Sequence, residues 1–189
     1  MAMQRHILIL FAHPALHRSR INQAMLKQIA GMDNVTVNDL YEHYPDFFID
    51  AGKEQALLRD ADLIVFQFPL YWYSAPPLLK LWQDVVLEKG FSYGSGGDAL
   101  RGKDFMLAIS SGGQEAAYQP GGYHSFYFVE FLRPFIAMAN LCGMRYCAPF
   151  VIQGGHDRST EDIRLHAQAY QRLLQNYIAN GFDTASPSA

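Results

Sequence analysis

The chain has 189 residues, of which 50% are hydrophobic and 17% are charged, and this composition is typical of one folded domain rather than of a disordered chain. Its formal net charge is −3, and no cluster of lysine and arginine lies among aromatic residues, which excludes the pattern typical of nucleic-acid binding. No apolar run approaches the roughly 20 residues needed to span a bilayer, so we expect a cytoplasmic protein.

Five segments have the pattern of β-strands. Four of them are apolar throughout, at His6–Ala12, Asp62–Phe68, Asp104–Ser110 and Met144–Ile152. A weaker segment with alternating polarity, Val35–Leu40, predicts one more strand. Strands that are apolar throughout are typical of a parallel sheet, because such a sheet is covered on both faces.

Helical patterns separate these strands, at Ser19–Ala30, Pro76–Lys89, Phe126–Cys142 and Thr160–Tyr177. Alternating strands and helices with right-handed crossovers favour the strand order 2-1-3-4-5. We therefore predict an α/β fold, a flavodoxin-like three-layer sandwich whose five-stranded parallel sheet carries helices on both faces. We expect a single domain over residues 1–182 and a flexible polar tail over residues 183–189.

The loop after the first strand brings a helix start to the predicted ligand site. In an open α/β sheet, ligands bind at the carboxyl ends of the strands where the winding reverses, here strands 1, 3 and 4. Ser19 begins the helix, and the first free N–H groups, together with Arg18 and Arg20, suit a phosphate. The alternative is that Ser19 simply caps the helix.

An aromatic segment follows the third strand. Tyr71, Trp72 and Tyr73 come directly before a pair of prolines, Pro76 and Pro77, which are suited to the first turn of a helix. The aromatic residues would line the rim of the cleft and flank a flat heterocycle. The alternative is that they cover a subunit interface, because such surfaces are enriched in tyrosine and tryptophan.

The loop after the fourth strand, Ser110–Ser125, is long for a compact domain, which favours a functional role. Gly112 and Gly113 allow the main chain to approach a ligand closely. Tyr118 and His124 bring two groups that can donate or accept protons to the same cleft. Taken alone, His124 fits a surface or hydrogen-bonded histidine better than a catalyst.

Other polar motifs predict no additional site. Gly154–Asp157 follows the fifth strand, and we favour a simple turn there over a loop that reaches the cleft. The histidines outside the cleft show no metal-binding spacing, so we expect no metal site.

Several of these segments resemble the flavodoxin-like NAD(P)H:quinone oxidoreductases. They include "AHP" at Ala12–Pro14, "SRIN" at Ser19–Asn22, "FPLYW" at Phe68–Trp72 and "SSGG" at Ser110–Gly113. The segment "HYPDFFID" at His43–Asp50 is similar to the narrower subgroup of Kef-type ancillary proteins of glutathione-gated potassium efflux systems. Matching segments extend across most of the chain.

The resemblance implies an FMN site. It assigns the flavin phosphate to His13, Ser19, Ile21 and Asn22, the ribityl chain and ring to Pro69, Leu70, Tyr71 and Trp72, and the pyrimidine edge to Ser110, Ser111, Gly112 and Gly113. Tyr118 and His124 fall where the family keeps the tyrosine and histidine that offset charge on the flavin, so they are the implied catalytic residues. The family's usual Thr-Thr-Gly-Gly is Ser-Ser-Gly-Gly here, which keeps both hydroxyl groups. FMN is favoured over FAD, because the FAD-binding reductases carry an additional C-terminal region.

The function implied by this resemblance is the reduction of a quinone or similar electrophile by NAD(P)H through bound FMN. The alternative is a regulatory subunit of a glutathione-gated potassium efflux transporter, held at the inner face of the membrane, with redox activity secondary. A one-electron flavodoxin carrier is disfavoured, because such carriers are strongly acidic and this chain is not.

A homodimer is also expected, because family members are two-fold dimers that share the site. The residues that would supply an aromatic surface are Trp72, Tyr73, Phe126, Tyr127, Phe128 and Phe131.

Overall fold

Six parallel strands form the central sheet of the computed structural model, which describes residues 4–182 and so leaves the predicted tail at residues 183–189 outside the described part. The strands are β1 (Ile7–Phe11), β2 (Val35–Asp39), β3 (Leu63–Pro69), β4 (Asp104–Ser110), β5 (Arg145–Tyr146) and β6 (Phe150–Ile152). Their order is β2-β1-β3-β4-β5, with β6 also paired to β4, which confirms the predicted topology.

The predicted fifth strand is divided into two. β5 pairs with the start of β4 at Asp104 and Phe105, whereas β6 pairs with its end from Ala108 to Ser110. Pro149 lies between the two pieces and lacks the N–H that a ladder needs, which explains why the strand does not run through.

Helices cover both faces of the sheet. They are α1 (Arg20–Ile29), α2 (Leu40–His43), α3 (Ala51–Asp60), α4 (Pro77–Val86), α5 (Arg133–Leu141) and α6 (Thr160–Asn180). The sequence pattern did not predict α2 and α3, which connect β2 to β3. Among the residues that the structure describes, no helix is both long enough and apolar enough to span a membrane.

The predicted helix Phe126–Cys142 begins later than expected. Phe128–Leu132 is a 3₁₀-helix, and the α-helix starts only at Arg133. Pro134 has no N–H to donate to the preceding turn, so it is tolerated in the first turn of α5 but not in a helix interior.

The central strands β1, β3 and β4 contribute side chains to two hydrophobic cores, one on each face of the sheet. On β1, Leu10 packs on one side of the sheet in the same core as Trp82 of α4. Its neighbour Ile9 packs on the other side with Met25 of α1 and Tyr170 of α6. All five residues of β1 are buried, which is the physical reason for its uninterrupted apolar sequence.

A buried carboxylate connects β2 to the helices on one face. Glu54 of α3 is fully buried, and Asn38 and Trp82 donate to its Oε2 at 2.7 and 2.8 Å. The Tyr44 hydroxyl donates to its Oε1 at 2.6 Å, and the His43 ring is hydrogen-bonded to Asn38 at 2.6 Å. Three donors therefore satisfy both carboxylate oxygens, and the network joins four separate segments of the chain.

Candidate functional site

A cleft of about 240 Å³ opens at the carboxyl ends of the strands. Nine of the predicted cofactor-binding residues line it, namely His13, Ser19, Ile21, Pro69, Leu70, Tyr71, Ser110, Ser111 and Gly112. They come from the loops after β1, β3 and β4, which the topology brings to one edge of the sheet. The loops chosen from the sequence thus converge in space.

The charges that line the cleft favour an anion. Arg18 and Arg20 are in the lining, and no aspartate or glutamate is. Arg20 and Ile21 begin α1, where the first N–H groups have no partner within the helix. Arg20 also donates to the carbonyl oxygen of Arg158 and to the Thr160 hydroxyl, which fixes the start of α1 beside the start of α6.

Ser19 caps α1 and also lies in the cleft. Its hydroxyl accepts from the backbone N–H of Asn22 at 3.2 Å and from the Asn22 side chain at 3.0 Å, so the capping alternative is realised. The same amide donates to the Ser110 hydroxyl at 2.9 Å, which ties the loops after β1 and β4 together. Asn22 is buried below the lining, and within residues 4–182 its Oδ1 has no hydrogen-bond partner.

His13 lies at the base of the cleft and is 95% buried, since only 5% of its surface is exposed. Burial lowers the pKa of its imidazole, because removal from water disfavours the charged form. The backbone N–H of Ala15 donates to Nδ1 at 3.0 Å, so the remaining proton of the neutral ring lies on Nε2. His13 therefore offers a neutral N–H donor and no positive charge.

The aromatic segment after β3 forms a tight turn. Tyr71 and Ser74 exchange two backbone hydrogen bonds of 3.0 Å. Between them, Trp72 and Tyr73 both have positive φ angles, of 48° and 64°, a conformation that usually selects asparagine or glycine. Tyr71 lines the cleft, whereas Trp72 is 93% exposed and lies outside the lining, so its predicted contact with a cofactor has no counterpart in the shape of this cleft.

Gly112 and Gly113 form a wall against which aromatic side chains pack. A Cβ atom at Gly112 would lie 2.5 Å from Nε2 of His156. A Cβ atom at Gly113 would lie 2.7 Å from Nε2 of His124 and 3.0 Å from the Tyr118 ring. A larger residue at either position would therefore displace a histidine side chain, which adds to the expected close approach of the main chain to a ligand.

Tyr118 and His124 are held together beside Gly113. Their rings stack with centroids 4.3 Å apart, and Tyr118 is buried. The hydroxyl of Tyr73 lies 3.2 Å from His124 Nδ1, which leaves Nε2 directed at Gly113. The two predicted catalytic residues are thus adjacent to the cleft without being part of its lining.

A fourth loop, after β6, was missed as part of the cleft. Gly154–Asp157 does form a turn, since the Asp157 N–H donates to the Gly154 carbonyl at 3.1 Å. However, Gly155 and His156 also line the cleft. The sequence signal was the pair Gly154-Gly155 directly before His156, which resembles the glycine pair shortly before His124 in the loop after β4. So short a pattern does not distinguish a simple turn from a binding loop.

The arrangement matches one family over most of the chain. Residues 5–174 match the model of the Flavodoxin_2 family, which is described as a flavodoxin-like fold. The chain belongs to this family. Its cleft accordingly lies at the point of the flavodoxin-like sheet where the winding reverses.

Two relatives of this flavodoxin-like chain are nearly as long as it is. General stress protein 14 of Bacillus subtilis is 48% identical over 169 residues, which are 89% of this chain and 97% of that protein. The glutathione-regulated potassium-efflux system ancillary protein KefG of Cronobacter sakazakii is 45% identical over 181 residues, covering 96% and 98% of the two chains.

Three solved structures share the fold and a substantial part of the sequence. General stress protein 14 from Treponema denticola, in complex with FMN, has a TM-score of 0.86 and 36% identity over 90% of this chain and 98% of its own. An NADPH-quinone reductase from P. pentosaceus has a TM-score of 0.81 and 34% identity, covering 93% and 98%. A protein described as a thermophilic tryptophan halogenase from Streptomycin violaceusniger has a TM-score of 0.86 and 43% identity, covering 93% and 99%.

Proposed function

We propose that the protein is an FMN-dependent NAD(P)H:quinone oxidoreductase that acts on a quinone or similar small electrophile. The observation that carries this proposal is the cleft itself, where the Ser19-capped start of α1, two arginines and the glycine segment after β4 come together. The FMN complex of general stress protein 14 and the similarity to an NADPH-quinone reductase support the choice of cofactor and reaction class.

The residues present fit FMN. The start of α1 with Ser19 and Arg18 would hold the phosphate, and Asn22 would keep Ser19 in place through the hydrogen bonds that it donates to the Ser19 hydroxyl. Tyr71 would flank the ring, and Ser111 with Gly112 would meet its polar edge. When bound, the flavin supplies the two-electron chemistry, and the protein supplies orientation and electrostatics.

Tyr118 and His124 have a separate task in this proposal. Their O–H and N–H groups lie beside Gly113 at the edge of the cleft, where they would donate hydrogen bonds directly to negative charge that develops on the bound flavin. Tyr73 orients the His124 ring through the contact at Nδ1. Tyr118 is buried in this stack, and the low local dielectric strengthens the hydrogen bond that its hydroxyl donates.

The purified protein should show the visible absorption of bound FMN and should oxidise NADPH in the presence of a quinone. In the Gly113→Val variant the new methyl groups collide with His124 and Tyr118, a strain of about 1–3 kcal/mol. We expect FMN to bind this variant roughly tenfold more weakly or worse, while the protein stays folded. Titration of the apoprotein with FMN, followed by flavin fluorescence, measures the change.

Gly52→Val is the matched control, because a Cβ atom at Gly52 in α3 meets only one atom, at 3.5 Å. It should bind FMN like the wild type. Full flavin occupancy in Gly113→Val would contradict the role assigned to the glycine wall. A wild-type protein that neither takes up FMN nor oxidises NADPH would contradict the proposed activity.

A second candidate function is that of an ancillary subunit of a potassium efflux system, working at the cytoplasmic face of the membrane. The identity of 45% with KefG over nearly the whole of both chains favours it. The two functions are compatible. Copurification of the protein with a co-expressed efflux transporter would support the ancillary function. A variant that no longer oxidises NADPH but still copurifies with the transporter would show that the two functions are separable.

We also propose that the protein is a homodimer. Trp72, Tyr123, Phe126 and Tyr127 are all more than half exposed and lie on neighbouring loops beside the cleft. Phe128 and Phe131 belong to the same aromatic group but are half-buried, and Phe131 stacks on Tyr73 at 4.9 Å. Sedimentation at micromolar concentration should give twice the mass of one chain, and Trp72→Ser with Phe126→Ser should shift it toward the monomer. A wild-type monomer at this concentration would rule the dimer out.

A further inference from the structure

The loop after β6 is attached to the glycine wall along its length. The N–H of Ser111 donates to the Ile152 carbonyl at 2.9 Å, and the N–H of Gly155 donates back to the Ser111 carbonyl at 2.9 Å. The N–H of Gly154 donates to the Gly113 carbonyl at 2.7 Å. Three backbone hydrogen bonds, the first of them from the end of β6, therefore hold this loop beside the loop after β4.

The attachment leaves one imidazole at the opening of the cleft. His156 is exposed, lines the cleft, and lies against Gly112, where a Cβ atom would come within 2.5 Å of its Nε2 and 2.7 Å of its Cδ2. The adjacent Gly113 is in close contact with a different imidazole, that of His124 in the loop after β4. A charged or polar ligand in the cleft would therefore contact His156, which is exposed and lines the cleft, and not His124, which is outside the lining.

We infer that His156 is a further cofactor-contacting residue, which binds the polar part of the flavin nucleotide from the loop after β6. This inference rests on the proposed function, since it places FMN in the cleft. An imidazole suits this position, because a ring nitrogen can donate to a phosphate or carbonyl oxygen, while its flat face packs on a glycine. A residue larger than glycine at position 112 would displace the His156 ring from the position in which it lines the cleft.

The test is a double-mutant cycle on the full-length protein, with the dissociation constant of FMN as the readout. His156→Ala should weaken FMN binding about tenfold, as expected for the loss of one hydrogen bond to a charged group. Gly112→Ala should weaken it by a similar factor, because the new Cβ displaces His156. The loss in the double variant should be smaller than the sum of the two single losses, because Gly112→Ala acts in part by displacing the imidazole that His156→Ala removes.

Two further variants separate binding from folding. His156→Gln keeps a donor and should recover part of the affinity, and His166→Ala, which removes an imidazole from α6 outside this cleft, should bind FMN like the wild type. Urea unfolding of the FMN-free proteins should show a loss of stability in Gly112→Ala that the double variant recovers. His156→Ala with wild-type affinity, or additive losses in the double variant, would overturn the inference, whereas a wild type without affinity for FMN would overturn the proposed function with it.

Discussion

Reduction of the bound flavin by NADPH should be about 100-fold slower in Tyr118→Phe, which is the typical loss when one donor to a developing negative charge is removed. The substitution deletes only the hydroxyl group. The ring that stacks on His124 at 4.3 Å remains, so the shape of the glycine wall is kept. His124→Gln should cause a loss of similar size, because the amide cannot stack on the Tyr118 ring as the imidazole does and so does not hold its donor in the same place. Stopped-flow absorbance of the FMN-loaded proteins gives the rate.

The effect should appear in the rate and not in cofactor binding. Both donors lie beside Gly113 and outside the residues that line the cleft, so the FMN dissociation constant should change by less than about threefold. Tyr123→Phe is the matched control, since it removes a hydroxyl from an exposed ring beside His124. Wild-type reduction rates in both Tyr118→Phe and His124→Gln would remove these residues from the mechanism and leave His124 as a packing residue.

Glu54→Ala should lower the free energy of unfolding by about 3 kcal/mol or more. The change leaves three buried donors without an acceptor, each of which costs on the order of 1–3 kcal/mol, and it opens a cavity among Asn38, Tyr44 and Trp82. The variant also avoids the free-energy cost of burying a carboxylate, and this offsets part of the loss. The expected loss of stability is therefore smaller than the sum of the costs of three unpaired donors and a cavity. Urea denaturation of the FMN-free protein provides the measurement.

Glu54→Gln is the informative companion, because it keeps the volume and one acceptor oxygen but turns an N–H₂ group toward the donors. We expect it to lose less stability than Glu54→Ala. Glu42→Ala, at an exposed glutamate in α2, should change stability by less than about 1 kcal/mol. A loss below that limit in Glu54→Ala would show that water or neighbouring groups replace the carboxylate.

The sheet could be predicted from the sequence because its strands are covered on both faces. Segments such as Leu63–Pro69 are buried at every position, and a nearly continuous apolar run in the sequence predicts such a strand. The helix α3 left no such record, because its buried positions include Glu54 and its surface is polar. A glutamate is expected to be exposed unless hydrogen-bond donors for its carboxylate are known. The donors to Glu54 are Asn38, Tyr44 and Trp82, which are 16, 10 and 28 residues away in the chain, so no local pattern shows them.

The site was predictable to the extent that one loop contained its own signal. The segment around Gly112 and Gly113 combines glycines, Tyr118 and His124 within one connection, so its role was visible in the chain. His156 contributes to the same cleft only because β6 pairs with the end of β4 and carries its loop to the glycine wall. This pairing depends on the break at Pro149, which local patterns had merged into one strand.

The turn formed by Trp72 and Tyr73 has a consequence for heat resistance. Holding two bulky residues at positive φ costs about 1 kcal/mol or more at each, a large share of the roughly 5–15 kcal/mol by which domains are stable. A laboratory selection for survival at high temperature alone would therefore be expected to replace this pair with asparagine and glycine, the residues that such a turn accepts without strain. In this chain the turn beside the cleft therefore carries two exposed rings at the expense of part of its stability.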